Sequence, residues 1–177
     1  MYERILIVID EEATSGHALD EGLALAQTHD SAVVLLGVLP PAGGAAVGDL
    51  PVMGVVGYAD LAPQVRQDAE RRLQAADESA RHAGVRVQTR ITDGLDPVDC
   101  IAQTAEAMRC DLIVVGSAGQ NAVMRLLTGS VIPGLITRAS MPVLVCRACS
   151  PGARIRRKDG TRQPTKRLRA GTGPAPA

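Results

Sequence analysis

The chain has no tryptophan and no phenylalanine, and Tyr2 and Tyr58 are its only tyrosines. Its core must therefore be aliphatic, made of Val, Ile, Leu and Ala. The scarcity also argues against reading nucleic acid by base stacking, which needs exposed aromatic rings. Lysine is missing from the first 157 residues; Lys158 and Lys166 are the only two. A Walker loop, Gly-x4-Gly-Lys-Ser/Thr, is thereby excluded, because its lysine is what clamps the phosphates. No Gly-x-Gly-x-x-Gly follows the first apolar run, which disfavours a dinucleotide-binding dehydrogenase. No apolar run approaches the length of a membrane-spanning helix. The N-terminus runs straight into a strand-like segment without the pattern of a leader peptide. The expectation is a cytoplasmic protein whose four cysteines are free thiols.

Cys146-Arg-Ala-Cys149 has C-x-x-C spacing. It closes a strand where a redox pair would open a helix, and no second Cys or His pair completes a zinc site. We read these residues as ordinary thiols. His17, His29 and His82 are scattered over helices or their ends, none paired with a Ser or Cys as nucleophile and base. No catalytic residue and no metal site are expected.

The net charge of zero conceals a division of the chain. Residues 1–149 carry eleven arginines against eighteen acids, a net of −7, and residues 150–177 carry eight cations against one acid, a net of +7. The pattern divides the chain into a domain over 1–149 and a basic, disordered tail over 150–177 without periodicity.

Within the domain, Arg4 to Ile9 is a continuous apolar run ending at Asp10, as is Ala32 to Val38. Such runs read as strands buried on both faces of a parallel sheet. Between them Thr14 or Ser15 can cap a helix whose Leu19, Leu23 and Ala26 recur at helical spacing. Pro40 to about Tyr58 reads as a long loop, of the kind that is a lid, a binding loop or disordered. A long helix from about Ala59 to Ala83 follows, with Ala69, Leu73, Ala76 and Ala80 on its apolar face and Gly84 as its stop. Val85 to Thr92 alternates apolar and polar residues, which suits an edge strand half in water. Asp96 and Pro97 open the next helix as cap and first residue, with Ile101, Ala105 and Met108 facing inward. Leu112–Val115 is a third buried strand, and Met141–Cys146 is the last strand. Alternating strands and helices at this spacing mean a parallel α/β sheet with helices on both faces and right-handed crossovers.

Gly116-Ser-Ala-Gly119 lies at the carboxyl end of a buried strand, the edge where open α/β sheets bind ligands. Gly129-Ser130 follows after nine intervening residues and begins a helix. Glycine permits close approach of a ligand to the backbone, and the Ser130 hydroxyl with the first free N–H groups of a helix suits phosphate oxygens. The spacing Gly-x2-Gly-x9-Gly-Ser between two strands reads as a phosphate cradle.

The stretch Gly116-Ser-Ala-Gly-Gln-Asn-Ala-Val-Met-Arg-Leu-Leu-Thr-Gly-Ser-Val131, followed by Met141-Pro-Val-Leu-Val145, resembles the signature of the universal stress proteins, and the likeness covers about residues 2–148. The resemblance implies an open five-stranded parallel sheet of order 3-2-1-4-5, adenine nucleotide alpha hydrolase-like, that binds ATP or a related adenine nucleotide, with Mg2+ as a companion ion. It implies Asp10 and Val38 on the base and ribose side. Gly116, Gly119, Arg125, Gly129, Ser130 and Val131 fall on the phosphate side. This chain departs from the family pattern at Glu11 and Glu12, where Asp-Gly-Ser is frequent, at Ala118, and at Ile132, where many ATP-binding members have Ser or Thr.

The last strand of that order is an edge, yet Pro142 to Cys146 lacks the charges that blunt an exposed edge. A homodimer through this strand is the expectation. The basic run from Arg154 to Arg169 suits an acidic partner or nucleic acid, or a solvated end. The reading that results is a stress-response regulatory module that holds a nucleotide without a visible catalytic engine. The alternatives are a dimeric interaction module of the same fold without nucleotide, and a weak ATPase.

Overall fold

In the computed structural model, residues 2–10, 14–39, 55–117 and 131–147 are described. In chain order they form β1 (Arg4–Val8), α1 (Thr14–His29), β2 (Ala32–Leu39), α2 (Val55–His82), β3 (Val87–Asp93), α3 (Pro97–Ala107), β4 (Leu112–Ser117), α4 (Val131–Arg138) and β5 (Val143–Arg147). The strands make one sheet of order β3-β2-β1-β4-β5, every neighbouring pair parallel. This is the architecture expected above. Residues 40–54, most of the anticipated long loop, lie outside the described residues, as does the tail.

The apolar runs divide between two cores by the period-two alternation of a strand. Ile5, Ile7, Val33, Leu35, Leu112 and Val114 point to one face, where Ala18, Leu23 and Ala26 of α1 and Leu73, Ala76 and Ala80 of α2 cover them. Leu6, Val34, Leu36, Ile113 and Val115 point to the other, against Val98, Ile101 and Ala105 of α3 and Leu135 of α4. Among the described residues no aromatic side chain belongs to the buried set of either core, so branched aliphatics and alanines fill both, joined by Cys146 on one face and Cys110 on the other. β3 is the half-wet edge that its alternation predicts: Gln88, Thr89 and Arg90 are exposed, while Val87 and Ile91 rest on the α1/α2 core.

Two helix boundaries differ from the reading of the sequence. α2 starts at Val55, four residues before Ala59, so that Pro63 is internal to it. A single Gly57 costs a helix only about 1 kcal/mol, which cooperative extension of a helix of this length overrides. Ser15 sits inside α1, and its hydroxyl donates back to the Asp10 carbonyl at 3.1 Å. Elsewhere the local signals hold. Gly84 takes a φ of 73° after α2, and the Asp96 carboxylate accepts from the Val98 N–H at 2.8 Å as the cap of α3.

Gly134 lets α4 lie directly on α3. A Cβ at this position would come within 2.7 Å of Val98 Cγ2 and 3.3 Å of its Cγ1. Valine is stiff at χ1 and cannot turn away cheaply. Gly134→Ala gains about 1 kcal/mol of helix propensity but incurs about 1–3 kcal/mol of overpacking. We expect a net loss of stability in urea denaturation, relieved when Val98→Ala is added; a stabilised single variant would contradict the close packing.

Candidate nucleotide site at the carboxyl edge

The central strands are tied together at their amino ends. Backbone N–H groups of Glu3 and Arg4 donate to the Asp111 carboxylate at 2.7 and 3.2 Å. The Asp111 N–H in turn donates to the Arg4 carbonyl at 2.9 Å, and the Arg4 guanidinium donates to the Met108 carbonyl at 2.6 Å.

At the carboxyl ends the same two strands part. The β1–β4 ladder stops at Ile7–Val114. Beyond it β1 stays with β2, through Val8–Leu36 and an Ile9 N–H to Leu36 carbonyl bond of 2.8 Å. β4 stays with β5, through Gly116–Cys146 and Ser117–Arg147. β1 is also where the order of connection reverses, since the chain winds outward to β2 and β3 on one side and to β4 and β5 on the other. The sheet therefore opens at its topological switch point, the place where open α/β sheets hold ligands.

Four of the residues singled out from the sequence lie around this opening. Asp10 is half-buried just past β1, and its carbonyl anchors the Ser15 hydroxyl at the start of α1. Gly116 is the half-buried penultimate residue of β4. Val38, near the end of β2, and Val131, the first residue of α4, both pack on the α3/α4 core, together with Val8 and Ile132. Val38 and Val131 thus bring apolar side chains to this edge of the sheet, and Asp10 brings a carboxyl group. Gly119, Arg125, Gly129 and Ser130 lie outside the described residues.

The position of α4 depends on a contact that no local pattern announces. Arg138 in its last turn donates to Asp96 at 2.6 Å and to Asp99 at 2.7 Å, both in the first turn region of α3. The Arg138 guanidinium, with the Val98 N–H second, holds the Asp96 carboxyl below its ordinary value. The same two carboxylates raise the Arg138 pKa. Asp96 thus caps one helix and grips the other.

Other chemistry is limited among the described residues. No group of three or more His, Cys, Asp or Glu side chains is placed to hold a metal ion. Burial, with Glu21 second, raises the thiol pKa of Cys146, and burial pushes that of Cys110 up to about 11. Neither is a ready thiolate. Cys149 lies outside the described residues. A cleft of about 290 Å3 between α2 and β3 is lined by Glu70, Gln74, Asp77, Arg81 and Arg90 among others. It flanks an edge strand, away from the carboxyl ends, and its Arg81 and Asp77 already pair with each other at 2.6 Å. No described helix is long and apolar enough to cross a membrane.

An open, doubly wound parallel sheet of order 3-2-1-4-5 defines an α/β protein of the Rossmann-like class. More narrowly, the chain belongs to the universal stress protein family, whose sequence pattern matches residues 1–147. It is 28% identical over 150 residues to a universal stress protein of Methanocaldococcus jannaschii, covering 83% of each chain. Its fold is similar to that of a universal stress protein family member from Burkholderia pseudomallei, with a TM-score of 0.65, 25% identity, and coverage of 83% of this chain and 97% of that one. It also resembles in fold the universal stress protein from Archaeoglobus fulgidus solved in complex with dAMP, with a TM-score of 0.55, 20% identity, and coverage of 82% and 98%.

The Asp96–Arg138–Asp99 clasp has a pH signature. Because folding lowers the Asp96 pKa, its contribution is complete above the ordinary value of 3.8 and is lost as pH falls below it. Asp96→Asn keeps a capping oxygen but loses the charge. Its Tm should lie below that of the natural chain at pH 7, and the gap should narrow as the pH is taken below 3.8. A gap independent of pH would remove the clasp from the account.

Proposed function

We propose that this protein binds ATP or a related adenine nucleotide at the crevice between β1 and β4, and acts as a stress-response regulatory module. The observation that carries the reading is the parting of the two strands after Ile7–Val114. It leaves Asp10 and Gly116 on opposite walls, with the glycine-rich sequence 116–130 between β4 and α4. Family membership and the dAMP complex of the Archaeoglobus fulgidus relative support an adenine nucleotide as the ligand class.

The residues suit such a ligand. Val38 and the neighbouring apolar side chains fit the base and ribose, whereas Gly116, Gly119, Gly129, Ser130, Arg125 and the first N–H groups of α4 at Val131 fit the phosphates. Asp10 is the carboxylate beside which Mg2+ would accompany a triphosphate. The reading assigns the site to holding a nucleotide, with weak ATP hydrolysis as the alternative that turnover of labelled ATP would reveal. In this reading residues 1–149 are the nucleotide-binding domain, 150–177 form a basic tail, and the protein works in the cytoplasm.

Calorimetric titration with ATP and Mg2+ tests the site. Gly119→Val and Ser130→Ala should each weaken binding, Ser130→Ala by about tenfold for one hydroxyl on a charged oxygen. Binding unchanged in both variants would refute the assignment of the loop, and no binding at millimolar ATP would favour the nucleotide-free interaction module.

We also propose a homodimer through β5. β5 is an edge strand whose Val143, Leu144 and Val145 are only partly covered, and no charge interrupts it before Arg147. The opposite edge, β3, carries the exposed Arg90 instead. A second β5 pairing across a two-fold axis would satisfy this edge. Val145→Lys should halve the mass seen in light scattering, and an unchanged mass would sink the dimer.

A further inference from the structure

The strands that meet the carboxyl edge around the crevice stand in the order β2, β1, β4, β5. Val38, assigned above to the base and ribose, is on β2 and packs on the α3/α4 side of the sheet. Asp10 follows β1, and Gly116 and Ser117 end β4. A nucleotide with its base at β2 and its phosphates at β4 therefore points its phosphate end toward β5.

β5 ends there in a cation. Its last residue, Arg147, is exposed and is the register partner of the half-buried Ser117. β5 is the one described strand that closes on a basic residue, since β1, β2, β3 and β4 close on Val8, Leu39, Asp93 and Ser117. The period of two sets the direction of its side chain. Val143 and Val145 face the α3/α4 core, so Arg147 belongs to the same face, as Ser117 does after Ile113 and Val115. That is also the face on which Val38 and Val131 pack. Other described arginines are engaged: Arg4 with the Met108 carbonyl, Arg81 with Asp77, and Arg138 with Asp96 and Asp99. Arg147 has no such partner among the described residues.

From β2 to β5 is three strand spacings, about 14 Å. An extended nucleoside triphosphate spans that distance, and a nucleoside or a monophosphate does not. We propose that Arg147 is a phosphate-binding residue of the crevice that contacts the outer phosphates and makes the site selective for nucleoside triphosphates over monophosphates. The inference rests on the nucleotide reading of the β1–β4 crevice and names the class of nucleotide. The guanidinium fork matches phosphate oxygens and pairs with them through charge-assisted hydrogen bonds. Adenosine or AMP held by the same walls leaves Arg147 in water. Because the residue is exposed, its contact with phosphate is screened by salt.

The test titrates ATP with Mg2+, AMP and adenosine into the full-length natural chain and into full-length Arg147→Gln and Arg147→Lys. Circular dichroism checks the fold of each variant, and light scattering its mass. Arg147→Gln should weaken ATP binding about tenfold at low salt, as expected for one charge-assisted contact, with the loss shrinking at high salt. AMP and adenosine should bind this variant as they bind the natural chain. Arg147→Lys should recover part of the ATP affinity, because it keeps the charge and loses the fork. Equal ATP affinity in Arg147→Gln, or an equal loss for all three ligands, overturns the proposal. A loss that comes only with a changed mass overturns it too, and would make Arg147 a residue of the β5 dimer. If the natural chain binds none of the three ligands, the nucleotide reading itself fails and takes this proposal with it.

Discussion

The parting of β1 from β4 is the constraint on which the rest depends. A parallel pair pinned by Asp111 at one end and released after Ile7–Val114 at the other produces a wedge in an otherwise continuous sheet. Each strand keeps its outer neighbour, so the opening leaves those outer ladders intact on either side. Buried backbone groups must find partners, and a crevice at this one place lets the strands diverge while both outer ladders continue. The two cores pack the sheet from both sides, because Ile5 and Ile7 face one pair of helices and Leu6 the other.

A second level of organisation sets what faces the opening. α3 and α4 are adjacent because Gly134 presents no side chain to Val98, and because Arg138 reaches Asp96 and Asp99. Those ion pairs are partly exposed and screened, so their value lies in orientation more than in stability. Together they fix where α4 lies on α3. Val131 and Ile132 anchor the start of α4 on the apolar core. Ile132 thus has a packing role.

Much of this was legible in the sequence, and for identifiable reasons. The buried parallel strands announce themselves as uninterrupted apolar runs, the β3 edge as an alternating one, and Asp96-Pro97 as a helix start with cap and first residue. Asp10, Val38, Gly116 and Val131 could be placed because they sit at the ends of such elements. The start of α2 was less legible, since Gly and Pro near its first turn resemble loop chemistry. Arg138 could not be found by pattern: its partners are 42 and 39 residues away in the chain, and only the docking of two helices brings them together. The same holds for Gly134, whose neighbour Val98 belongs to another helix. The order of the strands came from the family likeness carried by the loop, because periodicity identifies strands without saying which are neighbours.

The most direct test of the account is a map of amide chemical shifts in nuclear magnetic resonance during titration with ATP and Mg2+. The account predicts the largest changes at Asp10, Gly116, Ser117 and Val131, around the parting of β1 and β4, with little change along α2 and β3. Changes concentrated on Glu70, Gln74, Thr89 and Arg90 would move the ligand to the cleft between α2 and β3 and contradict the central claim.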